Sequence, residues 1–176
     1  RDLLFHLIVN SAFKDHFSSQ ATDYARFRPD YPAGLFAWLA GIAPTPDTAW
    51  DCGTGSGQAA VGLAAHFRHV IATDPSRRQL DHAEPHPRVE YRQASAEVSL
   101  LDTASVDLVT VAQAIHWFDL EKFYAEARRV LKPGGVIAAW TYTLLDVEAG
   151  IDALLTDFYR NVVSPYWPPE RRMVDD

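Results

Sequence analysis

The sequence predicts an α/β fold with a doubly wound, mainly parallel sheet. Short apolar segments typical of buried strands alternate with amphipathic helical segments from the middle of the chain onward. The turns between them are short, which favours parallel strands connected by helices on both faces of the sheet. With 176 residues, of which 48% are hydrophobic, the chain is long enough for one domain with a sizeable core.

Proline and glycine breakers separate the predicted elements of the first half. Apolar residues at helical spacing indicate a first helix that ends before Pro44 and Pro46, and a glycine-rich turn joins the next strand to its helix. Pro85 and Pro87 mark the turn before a strand with alternating polarity. The predicted elements are a helix over 32–42, a strand over 47–50, a helix over 58–67, a strand over 69–73, a helix over 77–84 and a strand over 89–93.

The second half continues the same alternation. Its first strand is apolar apart from Asp107 and Thr110, and an amphipathic helix follows. We expect Lys132-Pro133-Gly134-Gly135 to end that helix and lead directly into the last predicted strand. The predicted elements are a strand over 106–111, a helix over 120–131, a strand over 136–140 and a helix over 146–163.

Composition excludes several classes of partner. The formal net charge of -7 and the isoelectric point near 5.4 disfavour a general surface for nucleic acid or anionic membrane. The single cysteine, Cys52, cannot form an internal disulfide, which fits a reducing, cytoplasmic setting. No apolar run approaches membrane-spanning length, and the histidines lack the grouping of a metal site.

The most informative segment follows the second predicted element. Glycine occupies Gly53, Gly55 and Gly57, directly after the acidic Asp51. Without Cβ atoms, the backbone allows a ligand to approach closely, and we expect it to meet free N–H groups at the helix start. The charge of Asp51 would repel a phosphate and attract an amino group or a sulfonium.

A second acidic residue narrows the class of ligand further. Asp74 follows the next strand, at the position of the carboxylate that binds ribose hydroxyls in nucleoside-binding folds. A dinucleotide fingerprint would need a third glycine where this chain has Gln58. The sequence therefore predicts a cationic ligand with an adenosine-like half.

The acid and the three alternating glycines, Asp51, Gly53, Gly55 and Gly57, resemble the first motif of the class I S-adenosylmethionine-dependent methyltransferases. Members of that family have a Rossmann-like fold. Later segments match further motifs of that family, and two of them are similar to its small-molecule subgroup, which includes the trans-aconitate methyltransferases. The matching segments are Asp74, Ser95-Ala96-Glu97, Leu131-Lys132-Pro133-Gly134-Gly135, the tract from Tyr24 to Pro32, and His116-Trp117-Phe118-Asp119.

The resemblance implies roles for individual residues in holding S-adenosylmethionine. Asp51 would attract the methionine ammonium, with local backbone capping as the alternative. Glu97 would either contact adenine or remain a solvated acid in a loop. Arg28 would either bind a carboxylate of the cofactor or substrate or form a salt bridge that caps a helix. The implied cofactor-binding residues are Tyr24, Arg28, Asp51, Gly53, Thr54, Gly55, Gly57, Asp74, Ala96, Glu97 and Gln113.

His116 is the catalytic candidate because an imidazole can accept a proton near neutral pH. Methyl transfer from a sulfonium, however, depends mainly on proximity and alignment, and a carboxylate acceptor is already deprotonated. His116 and Trp117 would then only wall the cavity. Both interpretations stay open at this point, and so does the lining of the acceptor pocket by Tyr159, Tyr166 and Trp167.

The resemblance thus implies a methyltransferase with a small-molecule acceptor that is methylated at a carboxylate or another heteroatom. The alternative is a cofactor-binding regulatory protein without turnover. We expect an extension over 1–12 and a single domain over 13–176. The family has seven strands and only five are found here, so we expect the C-terminal strands to be missing from this sequence. A homodimer that covers the exposed edge strand is left open.

Overall fold

The computed structural model describes residues 31–142, 144, 147–167 and 169–175, and it contains a five-stranded sheet in which all neighbouring strands are parallel. The strands are β1 (Thr48–Cys52), β2 (His69–Asp74), β3 (Val89–Gln93), β4 (Val106–Ala112) and β5 (Leu131–Trp140). The α-helices are α1 (Ala33–Ile42), α2 (Gln58–Ala64), α3 (Arg77–Asp81), α4 (Leu120–Val130), α5 (Ala149–Phe158) and α6 (Arg172–Asp175). A 3-10 turn, Ile115–Trp117, follows β4.

The strand order β3-β2-β1-β4-β5 places a reversal of chain direction between β1 and β4. The helices that follow these two strands leave in opposite directions along the sheet, which opens a crevice at their carboxyl ends. Asp51 of β1 lies directly beside Thr110 of β4 in the strand register. The acid that begins the glycine motif therefore stands at this reversal point.

Alternating strand residues build a separate core on each face of the sheet. Ala49 of β1 belongs to the core beneath α1 and α2, whereas its neighbour Trp50 belongs to the core beneath α4. Phe67 fills the first core and Phe123 of α4 fills the second, and both side chains are fully buried. The doubly wound, mainly parallel sheet predicted from the sequence is thereby confirmed.

Several predicted boundaries needed adjustment. The strand over 89–93 has the expected limits, but β1 continues to Cys52, so Asp51 belongs to the strand and not to the turn. The helix that follows the glycine loop ends at Ala64, three residues before the predicted end. The last long helix starts at Ala149, and Tyr159–Val163 continues it as a wider π-helical turn.

The predicted break before β5 is wrong, because the strand begins at Leu131 and the expected breaker lies inside it. Val106 pairs with Leu131 and Leu108 pairs with Val136, so the pairing passes over the four residues between Leu131 and Val136. Gly134 has a φ of 79°, which permits the bend there. The sequence pattern indicated a turn, but the strand accommodates it as a bulge.

Asp107 anchors this bulge at the amino end of the sheet. Its carboxylate accepts hydrogen bonds from Lys132 Nζ at 2.8 Å, Thr48 N at 3.0 Å and Thr45 Oγ1 at 2.8 Å. Burial alone would raise the pKa of Asp107, but these hydrogen bonds and the charge of Lys132 hold that pKa below its usual value. The buried charge has a structural role at the end of the sheet opposite the crevice.

Helix α5 differs from the other long helices in having no buried residue. Leu154 and Phe158 are exposed along it. Across the part of the chain that the structure describes, none of the helices has the length and apolar character needed to cross a bilayer.

Helices α1 and α2 approach each other at Gly62. A Cβ atom at this position would collide with the ring of Phe36. We expect Gly62→Ala to lower the free energy of unfolding by about 1–2 kcal/mol, because the overpacking outweighs the gain in helix propensity. Urea unfolding measures the change. Gly41→Ala is the matched control, because a Cβ there meets nothing within 4 Å. An equal effect of the two substitutions would contradict the close contact.

Glu126 of α4 fastens the loop between β3 and β4. Its carboxylate accepts hydrogen bonds from Ser99 N at 2.8 Å and from Arg129 Nε at 2.8 Å. Arg129 also donates to the backbone carbonyl of Leu101 at 2.7 Å. The hydrogen bonds from Arg129 are the largest cause that lowers the pKa of Glu126, to about 2, while burial opposes the shift and Ser99 adds to it. This loop carries Ala96 and Glu97.

Because its folded-state pKa lies below the unfolded value of about 4.3, Glu126 stabilises the fold above that pH and ceases to do so as the pH falls towards about 2. At pH 7 we expect Glu126→Gln to lower the free energy of unfolding by about 1–3 kcal/mol. The difference from the unsubstituted protein should shrink between pH 5 and pH 2 in urea unfolding. Glu121→Gln, on the exposed side of α4, is the control. A difference that does not change with pH would contradict the assignment.

Candidate functional site

The glycine loop at the carboxyl end of β1 has a backbone that side chains other than glycine rarely adopt. The φ angles are 70° at Gly53, 57° at Gly55 and 89° at Gly57. A Cβ atom at Gly53 would lie 2.7 Å from Ala114 Cβ, and one at Gly57 would collide with the hydroxyl of Tyr91. At these two positions glycine is required by the packing of the chain itself, before any ligand is considered.

The N–H groups of this loop point back into the protein. Gly53 N and Thr54 N both donate to the carbonyl of Thr73 at 2.9 Å, and Gly55 N donates to Asp74 Oδ2 at 2.9 Å. Gly57 N donates to the carbonyl of Thr54 at 3.0 Å. These four loop N–H groups are therefore already used within the protein, and the expected contact of a ligand with free N–H groups at the helix start stays a prediction. In a phosphate-binding loop, such N–H groups would donate to the ligand. Here the hydrogen bonds to β2 and within the loop already occupy them.

Asp51 is held in a fixed orientation beside the loop. Its side chain is 1% exposed, and it accepts hydrogen bonds from Thr54 Oγ1 at 2.6 Å and Thr110 Oγ1 at 2.8 Å. Thr110 was not predicted as a residue of the site. Its position could have indicated such a role, because it is a polar residue in an otherwise apolar stretch of β4.

Asp74 joins the loops after β1 and β2. Besides the bond from Gly55 N, its Oδ1 atom accepts a hydrogen bond from Ser76 N at 2.8 Å. The residue that caps α3 is Ser76, whose hydroxyl accepts from Gln79 N at 3.4 Å. Carboxylate oxygens can accept more than one hydrogen bond. The role of Asp74 towards a ribose stays a prediction, and its role in tying the two loops is an observation.

Three acidic side chains influence the buried thiol of Cys52 at the carboxyl end of β1. Burial is the largest cause that raises the pKa of the Cys52 thiol well above its usual value. The negative charges of Asp51, Glu97 and Asp74 raise that pKa further. Similarly, burial first and then the charge of Asp51 raise the pKa of Tyr91 to about 12. Among the described residues, the carboxylates of Asp51, Asp74 and Glu97 thus lie near this edge of the sheet, and their negative charge favours a cationic ligand over a phosphate.

The adenine candidates lie in the loop after β3. Ala96 is 5% exposed and belongs to the core beneath α4. Glu97 is half-buried, and its Oε1 atom accepts a hydrogen bond from Asp119 N at 3.0 Å. Glu97 thus orders the start of α4, which neither sequence interpretation anticipated. The contact of both residues with adenine stays a prediction.

Gln113 follows β4 with a φ of 58°, a strained value for a residue with a side chain. Its backbone N–H donates to the carbonyl of Trp140, the last residue of β5, at 2.9 Å. Within the described part of the chain, Gln113 Nε2 and Trp140 Nε1 are both buried without a hydrogen-bond partner. Sequence reasoning missed Trp140, because an indole at a strand end reads as one more apolar side chain.

His116 is 6% exposed within the 3-10 turn after β4, with its ring centroid 4.6 Å from that of Trp117. The segment Pro169–Arg171 packs near this turn. Arg171 lies 4.9 Å from the ring centre of Trp167, and its Nε atom is 3.2 Å from the hydroxyl of Tyr159.

Tyr24 and Arg28 lie outside the described residues. Across the described ranges, no group of three or more His, Cys, Asp or Glu side chains is placed to hold a metal ion.

Together these features define an α/β domain with an acidic ligand crevice at the point where strand order reverses. Residues 50–139 match the family model described as a methyltransferase domain. The chain belongs to this family. The match begins within β1 and ends one residue before the end of β5, so it includes the glycine loop, Asp74 and the loop that follows β3.

Individual relatives agree with the family. A Dictyostelium discoideum protein provisionally named a methyltransferase is 41% identical over 168 residues, which cover 93% of this chain and 64% of that protein. A Saccharomyces cerevisiae protein provisionally named an S-adenosylmethionine-dependent methyltransferase is 30% identical over 70% of this chain and 45% of its own length. The chain therefore spans about half to two thirds of these relatives.

Among solved structures, a protein of Anaeromyxobacter dehalogenans provisionally named a type II methyltransferase is similar to this chain. It shares 51% sequence identity with a TM-score of 0.77, and the match covers 84% of this chain and 63% of that one. The Rossmann-like methyltransferase fold is thus shown by structure as well as by sequence.

The thiol of Cys52 provides a direct check on the packing of the site. It is fully buried with a raised pKa, so it stays protonated and shielded near neutral pH. We expect Ellman's reagent at pH 8 to release almost no thiolate from the folded protein and one equivalent after unfolding in guanidinium chloride. Because this is the only cysteine, the signal needs no assignment. Rapid labelling of the folded protein would contradict the burial of β1 at its carboxyl end.

Proposed function

We propose that the protein is an S-adenosylmethionine-dependent methyltransferase with a small-molecule acceptor, similar to the subgroup that includes the trans-aconitate methyltransferases. The observation that carries this proposal is the convergence of Asp51, Asp74 and Glu97 at the carboxyl edge of the sheet. Membership of the methyltransferase domain family supports it. A negative crevice suits a ligand that bears an ammonium and a sulfonium.

The residues present fit this cofactor. Asp51, oriented by two threonine hydroxyls, would bind the methionine ammonium. Asp74 would accept hydrogen bonds from the ribose hydroxyls while it keeps the loops after β1 and β2 together. Ala96 and Glu97 would border the adenine. The glycine loop, in which Cβ atoms are absent at three positions, would let the middle of the molecule approach the backbone closely.

When bound, S-adenosylmethionine supplies a methyl group on a positively charged sulfur. The protein's contribution is to hold an acceptor atom in line with the breaking carbon–sulfur bond and to exclude water. In the proposed arrangement, His116, Trp117 and Phe118 close the side of the crevice that follows β4. Their aromatic rings would keep water from the reacting atoms.

His116 has a base role only with an acceptor that must lose a proton, such as a hydroxyl. A carboxylate acceptor needs no base, and the burial of His116 beside Trp117 then serves to shape the cavity. We propose the second role. The first remains a prediction for acceptors of higher pKa.

The decisive experiment removes the charge of Asp51 and keeps its shape. We expect Asp51→Asn to weaken binding of S-adenosylhomocysteine about tenfold or more in calorimetry, because a charge-assisted hydrogen bond is lost. One of the two threonine hydroxyls can keep donating to the amide oxygen while the other rotates to accept from the amide nitrogen, so the fold should persist. Thermal unfolding checks that the variant is folded.

Asp81→Asn is the matched control, because Asp81 pairs with Arg77 on exposed α3. It should bind S-adenosylhomocysteine like the unsubstituted protein. Unchanged affinity of Asp51→Asn, or tighter binding of NAD than of S-adenosylhomocysteine, would overturn the proposal. Binding without methyl transfer to any of a broad panel of small molecules would favour the regulatory alternative.

A further inference from the structure

The loop over 94–101, which follows β3, is tied to the candidate site at its start. Ala94 N donates to the carbonyl of Asp74 at 3.2 Å, directly after β2 and β3 end. The charge of Glu97 contributes to the raised pKa of the Cys52 thiol, which lies at the end of β1. The first half of this loop therefore lies at the carboxyl edge of the sheet, beside the acid predicted to hold the ribose.

The second half of the loop contains a strained residue, Leu100. Its φ angle of 61° lies in the left-handed region, which is costly for a residue with a Cβ atom. Its apolar side chain is 70% exposed, so burial of that side chain offsets little of the cost. A strained backbone of this kind persists only where the surrounding structure fixes it. The residues on either side of Leu100 must therefore be held in place.

Glu126 and Arg129 of α4 hold both of these neighbours. On one side, Ser99 donates to Glu126 Oε1 through its N–H at 2.8 Å and through its hydroxyl at 2.5 Å. On the other side, Arg129 Nη2 donates to the carbonyl of Leu101 at 2.7 Å and to Glu126 Oε1 at 2.8 Å. Leu101 N in turn donates to Ser99 Oγ at 3.2 Å. Ser99 is fully buried and the Glu126 side chain is 10% exposed, so water competes little for these bonds.

Glu126 is the common acceptor in this set of hydrogen bonds. Because it accepts from Ser99 and from Arg129, loss of its charge would weaken the support on both sides of Leu100. Leu100 would then be able to return to a common backbone conformation, which changes the direction of the chain. Ala96 and Glu97 lie only four and three residues before Leu100, so their position at the carboxyl edge depends on that direction.

We propose that Glu126 is a positioning residue for recognition of the adenine base, which acts by holding the loop over 94–101 and not by contact with the cofactor. The inference rests on the proposed function and adds a residue that determines its specificity. Adenine presents an acceptor at N1 and a donor at its 6-amino group, whereas hypoxanthine presents a donor at N1 and an acceptor at its 6-oxygen. A loop held in one arrangement can match only one of these patterns.

The test compares binding of S-adenosylhomocysteine and S-inosylhomocysteine, in which hypoxanthine replaces adenine, by calorimetry. The unsubstituted protein should bind S-adenosylhomocysteine about tenfold or more tightly than S-inosylhomocysteine. Glu126→Gln should weaken binding of S-adenosylhomocysteine about three- to tenfold and change binding of S-inosylhomocysteine less than about twofold. Discrimination between the two bases should therefore decrease. A purely stabilising role of Glu126 would leave both affinities of the folded protein unchanged or reduce them equally.

A second variant and a control accompany this measurement. Ser99→Ala removes the hydroxyl that joins Glu126 to Leu101 N but keeps the charge of Glu126, and it should also decrease the discrimination between the bases. Glu121→Gln makes the same chemical change at an exposed position of α4 and should leave both affinities unchanged.

Hydrogen exchange followed by mass spectrometry shows which part of the protein loosens. In Glu126→Gln, peptides from the loop over 94–101 should exchange faster, whereas peptides from β1 and β2 should keep their protection. Protection of β1 and β2 also shows that the variant is folded. If Glu126→Gln does not fold, Ser99→Ala serves as the test.

Three outcomes overturn the inference without affecting the proposed function. The first is equal binding of S-adenosylhomocysteine and S-inosylhomocysteine by the unsubstituted protein. The second is an equal loss of affinity for both ligands in Glu126→Gln. The third is discrimination that survives in both Glu126→Gln and Ser99→Ala, whether or not the loop exchanges faster. Failure of the unsubstituted protein to bind S-adenosylhomocysteine would instead refute the proposed function itself.

Discussion

The hydrogen bonds between the glycine loop and the end of β2 determine the rest of the crevice. Thr73 accepts two loop N–H groups through its carbonyl, and Asp74 accepts the next through its carboxylate. These bonds require the left-handed backbone that glycine permits, and they bring the ends of β1 and β2 together. They also remove the donors that an anion would need. Four loop N–H groups are therefore unavailable to an anion, which is consistent with the cationic ligand of the proposed function.

Two buried aspartates at opposite ends of the sheet illustrate how partners decide the role of a charge. Asp107 is bonded by the ammonium of Lys132, which compensates its charge where it stands. Asp51 accepts hydrogen bonds from two hydroxyls, which orient the carboxylate. The negative charge of Asp51 contributes to the raised pKa values of Cys52 and Tyr91. The first aspartate stabilises the fold, whereas the second gives the crevice its polarity.

The sequence was informative wherever the pattern was local. Strand and helix periodicity predicted the order of elements, and β3 was predicted with its observed limits. It was less informative where partners are distant along the chain. The bond from Asp119 N to Glu97 and the hydroxyl of Thr110 on Asp51 depend on tertiary contacts that no spacing encodes. The breaker before β5 was misjudged because a strand can absorb extra residues when its neighbour's register allows it.

The two sides of the reversal point therefore differ in chemistry, and the proposed function would place one reactant on each. The side of β1 and β2 is acidic, and its carboxylates favour a positively charged molecule. On the side of β4 and β5, the buried side-chain nitrogens of Gln113 and Trp140 have no hydrogen-bond partner among the residues that the structure describes. An anionic acceptor would be repelled by the acids if it bound alone. A cationic cofactor between them would screen that repulsion, so the polarity of the crevice favours binding of the cofactor before the acceptor.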